Sequence, residues 1–392
     1  MKENIEVAGA PFSCGSATRA TVRGTRDAEC VTALRRAGFH IAGITRCDEF
    51  AYGCTGEANA YGPCRNPHDL GRITGGSSSG SAAAVAAGLA RYALGTDTGG
   101  SVRIPAALCG VYGFKPAFGS VGIRGVFPLS PSLDHVGIIA DSLAALVAVW
   151  RALSGGPAVG PRRPAPRLGL ADAPEVYVLS REVDRVWRQV VHDLELTRRA
   201  PLTGLRDAHI HGPVVQGVEA HRIHAGTLRE RPEGLQPAVR ERLEQAASIS
   251  RSDYESARSS MLECRLRAAD DLGDVDVVLL PTVAVVAPLL GTESVVLGGE
   301  RVSVRETLLR NTRPANFSGL PALTLPLPQE PPGLPVGLQL IGRDNEAVLR
   351  AGFLVLSALG ISPSRRCVHA PNAPRAPRAL SETTPAEPHC KQ

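Results

Sequence analysis

Ser81-Ala-Ala-Ala-Val-Ala-Ala-Gly-Leu-Ala90 carries almost no side-chain bulk, and it constrains the fold more than any other stretch of the chain. Alanine favours a helix, and a helix this smooth can lie close against a sheet. Arg91-Tyr-Ala-Leu-Gly95 reads as a short strand after it. Two glycine- and serine-rich loops bracket the unit, Gly75-Gly-Ser-Ser-Ser-Gly-Ser81 before the helix and Asp97-Thr-Gly-Gly-Ser-Val-Arg103 after the strand. The helix N-terminus points at the first loop. The unit reads as a smooth helix laid against a strand.

The rest of the pattern agrees. Asp27 to Ala37 reads as an amphipathic helix and Phe39 to Ile44 as a strand. Gly155 to Pro166, rich in Gly, Pro and Arg, reads as a linker. Val214 to Leu228, Gln236 to Ala247 and Ser252 to Leu272 carry apolar residues at helical spacing. Val275 to Leu280, Leu320 to Leu327 and Val336 to Ile341 read as strands, and Asn345 to Leu359 as a closing helix. From Ser362 the chain is Pro, Ala and Arg with few apolar residues, which predicts a disordered tail.

With 392 residues, 43% apolar but only 4% aromatic, the chain can bury a large core of small aliphatic side chains without disulfides or a metal. Its net charge of +5 is dispersed, which argues against nucleic-acid binding. The nine cysteines are irregularly spaced with no C-x-x-C. That predicts reduced thiols and no metal. Met-Lys-Glu-Asn opens no signal peptide, and no apolar run approaches the roughly 20 residues of a membrane span. A cytoplasmic protein is expected.

The chemistry-bearing residues are Lys2, Ser77 and Ser101. Both serines sit among bare backbone N–H groups, which an acyl-transfer site needs to hold a developing oxyanion. Lys2 is one of three lysines against forty arginines. Arginine cannot release its proton in a protein, whereas a buried lysine can, so Lys2 reads as a candidate base. Each part also has a plainer reading. The first loop resembles a phosphate cradle, but it lacks the lysine of a Walker loop. Gly76-Ser-Ser-Ser-Gly80 fits G-x-S-x-G, which would make Ser78 a nucleophile. It also reads as a turn capping the alanine helix. Taken alone, Lys2 is a solvated terminal lysine and Asp97 to Ser101 a tight turn.

Taken together, these stretches resemble the amidase signature family of Ser-Ser-Lys amide hydrolases. The matching segments are Met1-Lys-Glu-Asn-Ile-Glu-Val-Ala-Gly9, Asp48-Glu-Phe-Ala-Tyr-Gly53, Tyr61 to Asp69, Gly75 to Gly88, Gly95 to Ala106 and Gly113-Phe-Lys-Pro116. Ser132-Leu-Asp-His-Val-Gly137, Asn316 to Ala322 and Gly333 to Gly342 follow, so the likeness covers roughly residues 1–359. It implies an α/β/α sandwich around a large mixed β-sheet in a single amidase domain over 1–359. Within it, 1–160 would be the catalytic core, 161–275 a helical cover and 276–359 the closing strands and helix, with 360–392 as the tail. It also implies Ser101 as nucleophile, Ser77 as bridging serine on a cis peptide, and Lys2 as base. Backbone N–H groups of Thr98, Gly99, Gly100 and Ser101 would form the oxyanion hole. Ala51, Tyr52 and Gly53 would line the acyl pocket. Asp97 and Arg103 are expected to be structural, Arg103 paired with a carboxylate; Ser78 would support the loop and His135 would be packed.

The implied reaction is hydrolysis of a small-molecule amide with no metal or organic cofactor. The alternatives are the glutaminase (A-type) subunit of a tRNA-dependent amidotransferase, which would need partner subunits, and an inactive, truncated paralogue that only binds. Membrane is not expected as a partner, and a homodimer stays open. The chain departs from its relatives in starting one residue before Lys2. A lysine there is expected to be frayed, wet and charged unless neighbouring strands hold it. A start upstream of Met1 or the truncated paralogue would account for this departure, and the retained triad favours the first.

Overall fold

The structure, a computed structural model, describes residues 1–156, 164–202, 204–327 and 333–364. Eight strands form its central sheet: β1 Tyr92–Asp97, β2 Tyr112–Lys115, β3 His135–Ala140, β4 Leu168–Ala171, β5 Arg199–Ala200, β6 Val277–Pro281, β7 Ala322–Leu327 and β8 Val336–Gly342. Their spatial order is β1-β3-β2-β7-β8-β6-β4-β5. Pairing is antiparallel from β1 through β6 and parallel where β4 meets β6 and β5. The sheet is therefore mixed, as the resemblance implies.

Strand residues alternate between two buried faces. Val277 and Leu279 of β6 join Leu143, Leu146, Val348 and Leu356 on one side, where the helices Leu143–Ser154 and Asn345–Ala358 lie. Val278 and Leu280 turn to the other side, against Ala268 and Leu272. At the opposite end of the sheet the same alternation sends Leu94 to the first face and Ala93 to the second. Ala93 meets Ala82, Val85 and Ala86 of the alanine helix, which spans Ser79–Ala86. A Cβ on Gly95 of β1 would lie 2.5 Å from Ser78 Oγ, so only a glycine permits this approach. Helix, sheet and helix make a single α/β domain in three layers.

Most elements fall where the pattern places them. The strand expected at Phe39 to Ile44 is not formed. This segment pairs with the chain start through Gly43, whose carbonyl accepts from the Met1 amine at 2.8 Å, and through Thr45, whose N–H donates to Met1 O and whose carbonyl accepts from Glu3 N–H. Two bonds flanking one residue make an isolated bridge, too short for a ladder. Within the stretch expected to be a helical cover, residues 164–202 instead extend the sheet through β4 and β5, with the helix Arg181–Asp193 packed on its first face through Val183, Trp187 and Val190. The covering helices begin later, at Leu205–Ile210, Gly212–Glu230, Pro237–Ala246 and Arg251–Arg267. Part of the linker (157–163) and of the tail (365–392) lies outside the described residues.

Among the described residues, no helix is long and apolar enough to cross a membrane. Cys14, Cys30, Cys47, Cys54, Cys64, Cys109 and Cys264 are free thiols.

Candidate active site

Lys2 is fully buried. Its backbone N–H donates to Leu94 O of β1, and residues 1–3 are bridged to Thr45, so the chain start is held from two sides. The condition set for an enclosed lysine at the chain start is therefore met: backbone pairing to Leu94 and Thr45 supplies the restraint. The amine Nζ lies 2.8 Å from Ser77 Oγ and donates to Thr96 Oγ1 at 2.7 Å. Asn4 Nδ2 donates to the same threonine oxygen at 3.1 Å. Burial pushes the lysine below its ordinary value, although the carboxylates of Asp48, Asp97 and Asp134 pull the other way. Lys115 is buried too, is pushed well down by the same cause, and donates to Pro116 O. Burial therefore does not single out Lys2; contact with a serine does.

The two glycine-serine loops are tied together. Ser77 follows a cis Gly76–Ser77 peptide, its carbonyl accepts from Asp48 N–H at 3.2 Å, and Ser78 N–H donates to Ser101 O at 3.1 Å. Ser78 Oγ lies 3.2 Å from Thr96 O and accepts from Thr96 N–H at 3.3 Å. Ser78 is thus a strut of the loop. Asp48 lies beneath, accepting from Gly56 and Ala58 N–H at 3.1 Å each, and burial pushes its carboxyl up to about 6.

The second loop hangs on one buried ion pair. Arg103 donates to Asp97 through Nε at 3.0 Å and Nη2 at 2.9 Å, with both side chains fully enclosed. The remaining guanidinium hydrogens reach Thr312 O, Gln339 Oε1 and Asn316 Oδ1 at 2.8, 2.7 and 2.6 Å. Asp97 also accepts from Gly100 N–H, Val102 N–H and Asn316 Nδ2. Burial would raise this carboxyl, but the guanidinium outweighs it and holds it well below the usual range. Arg103→Met is expected to cost about 3–5 kcal/mol of stability, because it leaves a buried carboxylate without its cation. Urea unfolding checks this, and a loss under about 1 kcal/mol would show that the amide donors suffice.

The same pair corrects one expectation about the oxyanion hole. Gly100 N–H already donates to Asp97 Oδ1 at 2.8 Å, so it is turned away from the serine. Gly100 has φ +134°, and a Cβ there would collide with Thr312 Oγ1; the glycine serves loop geometry. The N–H groups of Thr98, Gly99 and Ser101 have no acceptor among the described residues. Thr98 is fixed by its hydroxyl, which donates to Asp134 Oδ1 at 2.6 Å. Asp134 in turn accepts from Leu129 and Ser130 N–H, and Ser130 Oγ donates to Glu219 of the cover helix Gly212–Glu230. His135 is packed: its Nδ1 lies 2.6 Å from Leu133 O and 3.1 Å from Asp97 O, and burial drives its pKa well down.

Sequence reasoning misses Thr96, Asn4, Asp134 and Glu219. Thr96 carries a signal, a polar residue directly after the apolar run Ala93-Leu94-Gly95 of β1. Ala51 and Tyr52 are buried against Ala220, Leu235, Val239 and Leu243 of the cover, so this segment does join the catalytic loops to the covering helices. Gly53 is less enclosed and packs against Asp48.

A family model for Amidase matches residues 1–176 and 208–348. AtzE, the 1-carboxybiuret hydrolase subunit of Pseudomonas sp. (strain ADP), is 36% identical over 386 residues, spanning 92% of this chain and 83% of that protein. The Glutamyl-tRNA(Gln) amidotransferase A-type subunit of Methanospirillum hungatei JF-1 is 33% identical over 398 residues, spanning 90% of each. A solved amidase crystal structure superposes with a TM-score of 0.84 at 34% identity, covering 92% of this chain and 83% of that one. A shared sheet, shared loops and similarity over nine-tenths of the sequence lead to one conclusion: the chain belongs to the amidase family, hydrolases that act on carbon–nitrogen amide bonds other than peptide bonds.

Proposed function

We propose that this protein cleaves a small-molecule amide through an acyl-enzyme on Ser101, with Lys2 as base and Ser77 as proton relay. The observation that carries the reading is the enclosed Lys2 amine 2.8 Å from Ser77 Oγ. A serine hydroxyl is a poor nucleophile until a base removes its proton. In its neutral form Lys2 has a lone pair to accept the Ser77 proton, while one N–H is held by Thr96. Ser77 then takes the Ser101 proton as Ser101 Oγ attacks the carbonyl carbon. The negative charge formed on the carbonyl oxygen is met by N–H groups of Thr98, Gly99 and Ser101, each such donor contributing about 2.7–4 kcal/mol to transition-state stabilisation. The proton returns through Ser77 to the leaving nitrogen as the C–N bond breaks. Water, activated by the same relay, then hydrolyses the ester.

In this reading Ala51, Tyr52 and Gly53 border the acyl pocket and the helices from Leu205 onward shape it. No metal or organic cofactor takes part in these steps. Free thiols fit a reducing, cytoplasmic setting.

Two measurements test the proposal: labelling by a neutral fluorophosphonate, with the modified residue located by mass spectrometry, and ammonia release from aliphatic, aromatic and ureido amides. Ureido compounds belong in the screen because one relative is part of a 1-carboxybiuret hydrolase. Modification of Ser101 together with turnover of at least one amide is expected. Folded protein that neither reacts nor releases ammonia would point to a binding remnant. Similarity over nine-tenths of an amidotransferase component supports a second reading, the glutaminase of such a complex. Glutamine hydrolysis that appears only with a co-purifying partner would favour it.

A further inference from the structure

Three arginines converge on the Tyr52 segment. Arg242, from the cover helix Pro237–Ala246, donates to Tyr52 O at 2.5 Å, and its guanidinium lies 5.0 Å from the Tyr52 ring centre. Arg305, from the helix Val304–Leu309, approaches the same ring at 5.9 Å. Arg313, at the start of the next helix, is almost fully buried and lies 3.6 Å from Glu306, a carboxylate that also meets His209 at 3.4 Å. Two carboxylates lie near: Asp48, occupied by Gly56 and Ala58 N–H, and Glu49, whose charge also acts on Arg242 and whose Oε2 accepts from Gln236 N–H at 2.7 Å. Among the described residues, neither Arg242 nor Arg305 has a carboxylate within ion-pair distance. Arg242 Nε is buried with no acceptor.

Such a cluster is costly by itself. Guanidinium groups keep their charge, and these repel one another: burial, reinforced by Arg305, brings Arg242 down to about 10. The cluster also borders both catalytic loops. Cys54 O, just past Tyr52, accepts from Gly76 N–H at 2.8 Å. Leu309, one turn beyond Arg305, would touch a Cβ on Gly99 at 3.3 Å. An anion lodged between Arg305 and Arg242 would give Arg242 Nε an acceptor and both guanidinium groups a counter-charge, and a planar carboxylate matches the guanidinium fork.

We propose that Arg305 and Arg242 form a carboxylate-binding subsite, so that the substrate is an amide whose acyl part ends in a carboxylate. This rests on the reading of the site as an amide hydrolase. The test compares monoamides of malonic, succinic, glutaric and adipic acids with the corresponding neutral diamides, by ammonia release at low ionic strength. For at least one length, kcat/KM is expected to favour the monoamide by about 30–100-fold. In Arg305→Gln that ratio falls below about 5-fold, and Arg305→Lys retains part of it.

In parallel, free dicarboxylates slow fluorophosphonate labelling of Ser101 in the parent protein and protect Arg305→Gln about tenfold less well. Equal turnover of monoamides and diamides, or a ratio and a protection unchanged in Arg305→Gln, overturns the subsite. Labelling of Ser101 with neutral amides cleaved as readily leaves the hydrolase standing and removes only the subsite. Absent labelling and absent turnover remove both.

Discussion

Replacing Ser101 by alanine is expected to lower kcat by at least about 10⁴-fold while leaving the fold intact. The hydroxyl is the only atom lost, and the loop around it is held by other groups: Asp97 grips Gly100 and Val102, and Thr312 Oγ1 donates to Gly99 O at 2.7 Å. Thermal unfolding should be nearly unchanged and fluorophosphonate labelling should vanish. Because relay and nucleophile act as a unit, Ser77→Ala on top of Ser101→Ala should cost little more than Ser101→Ala alone. Residual turnover above about 1% in the purified variant would mean that another group attacks the carbonyl.

Lys2→Arg is expected to be as damaging as Lys2→Ala, about 10³-fold or more in kcat/KM. The substitution keeps the charge and length but removes the capacity to be neutral, since arginine stays protonated. The pH dependence gives an independent check. Lys2 is pushed below its ordinary value by burial, and the working form of the base is neutral. Activity is therefore retained above its folded pKa and lost as pH falls through that value. The acid limb of kcat/KM should lie below the ordinary lysine range. A limb near about 10, or an active Lys2→Arg enzyme, would remove Lys2 from the base role.

What the sequence discloses and what it hides divide by range. Loops of glycine and serine are legible because they have few side chains to be repositioned, and the alanine helix announces its close packing directly. The partner of Arg103 is half legible: a carboxylate is expected, and Asp97 in the same loop supplies it. Asn316 and Gln339, which complete the cage, lie far downstream and meet Arg103 only because β7 and β8 return to the middle of the sheet. Gly100 reads as an oxyanion-hole donor because a run of bare amides does not reveal which way each one points. Taken alone, Lys2 reads as exposed because fraying is a property of unpaired termini, and its pairing to Leu94 and Thr45 is tertiary. The arginine cluster is invisible for the same reason. Its members come from elements far along the chain and face a segment near residue 52.

The cage around Asp97 is fastened by Arg103, Asn316, Gln339 and Thr312, whereas the helices from Leu205 to Arg267 reach this region through Arg242 at Tyr52 O, Glu219 at Ser130 and Arg265 at Ser132 O, Asn316 O and Phe317 O. In the proposed reading, the reacting groups and the helices that shape the acyl pocket therefore come from different stretches of the chain. A library randomised over the solvent-facing positions of those helices is then expected to shift amide preference while leaving Lys2, Ser77 and Ser101 in place.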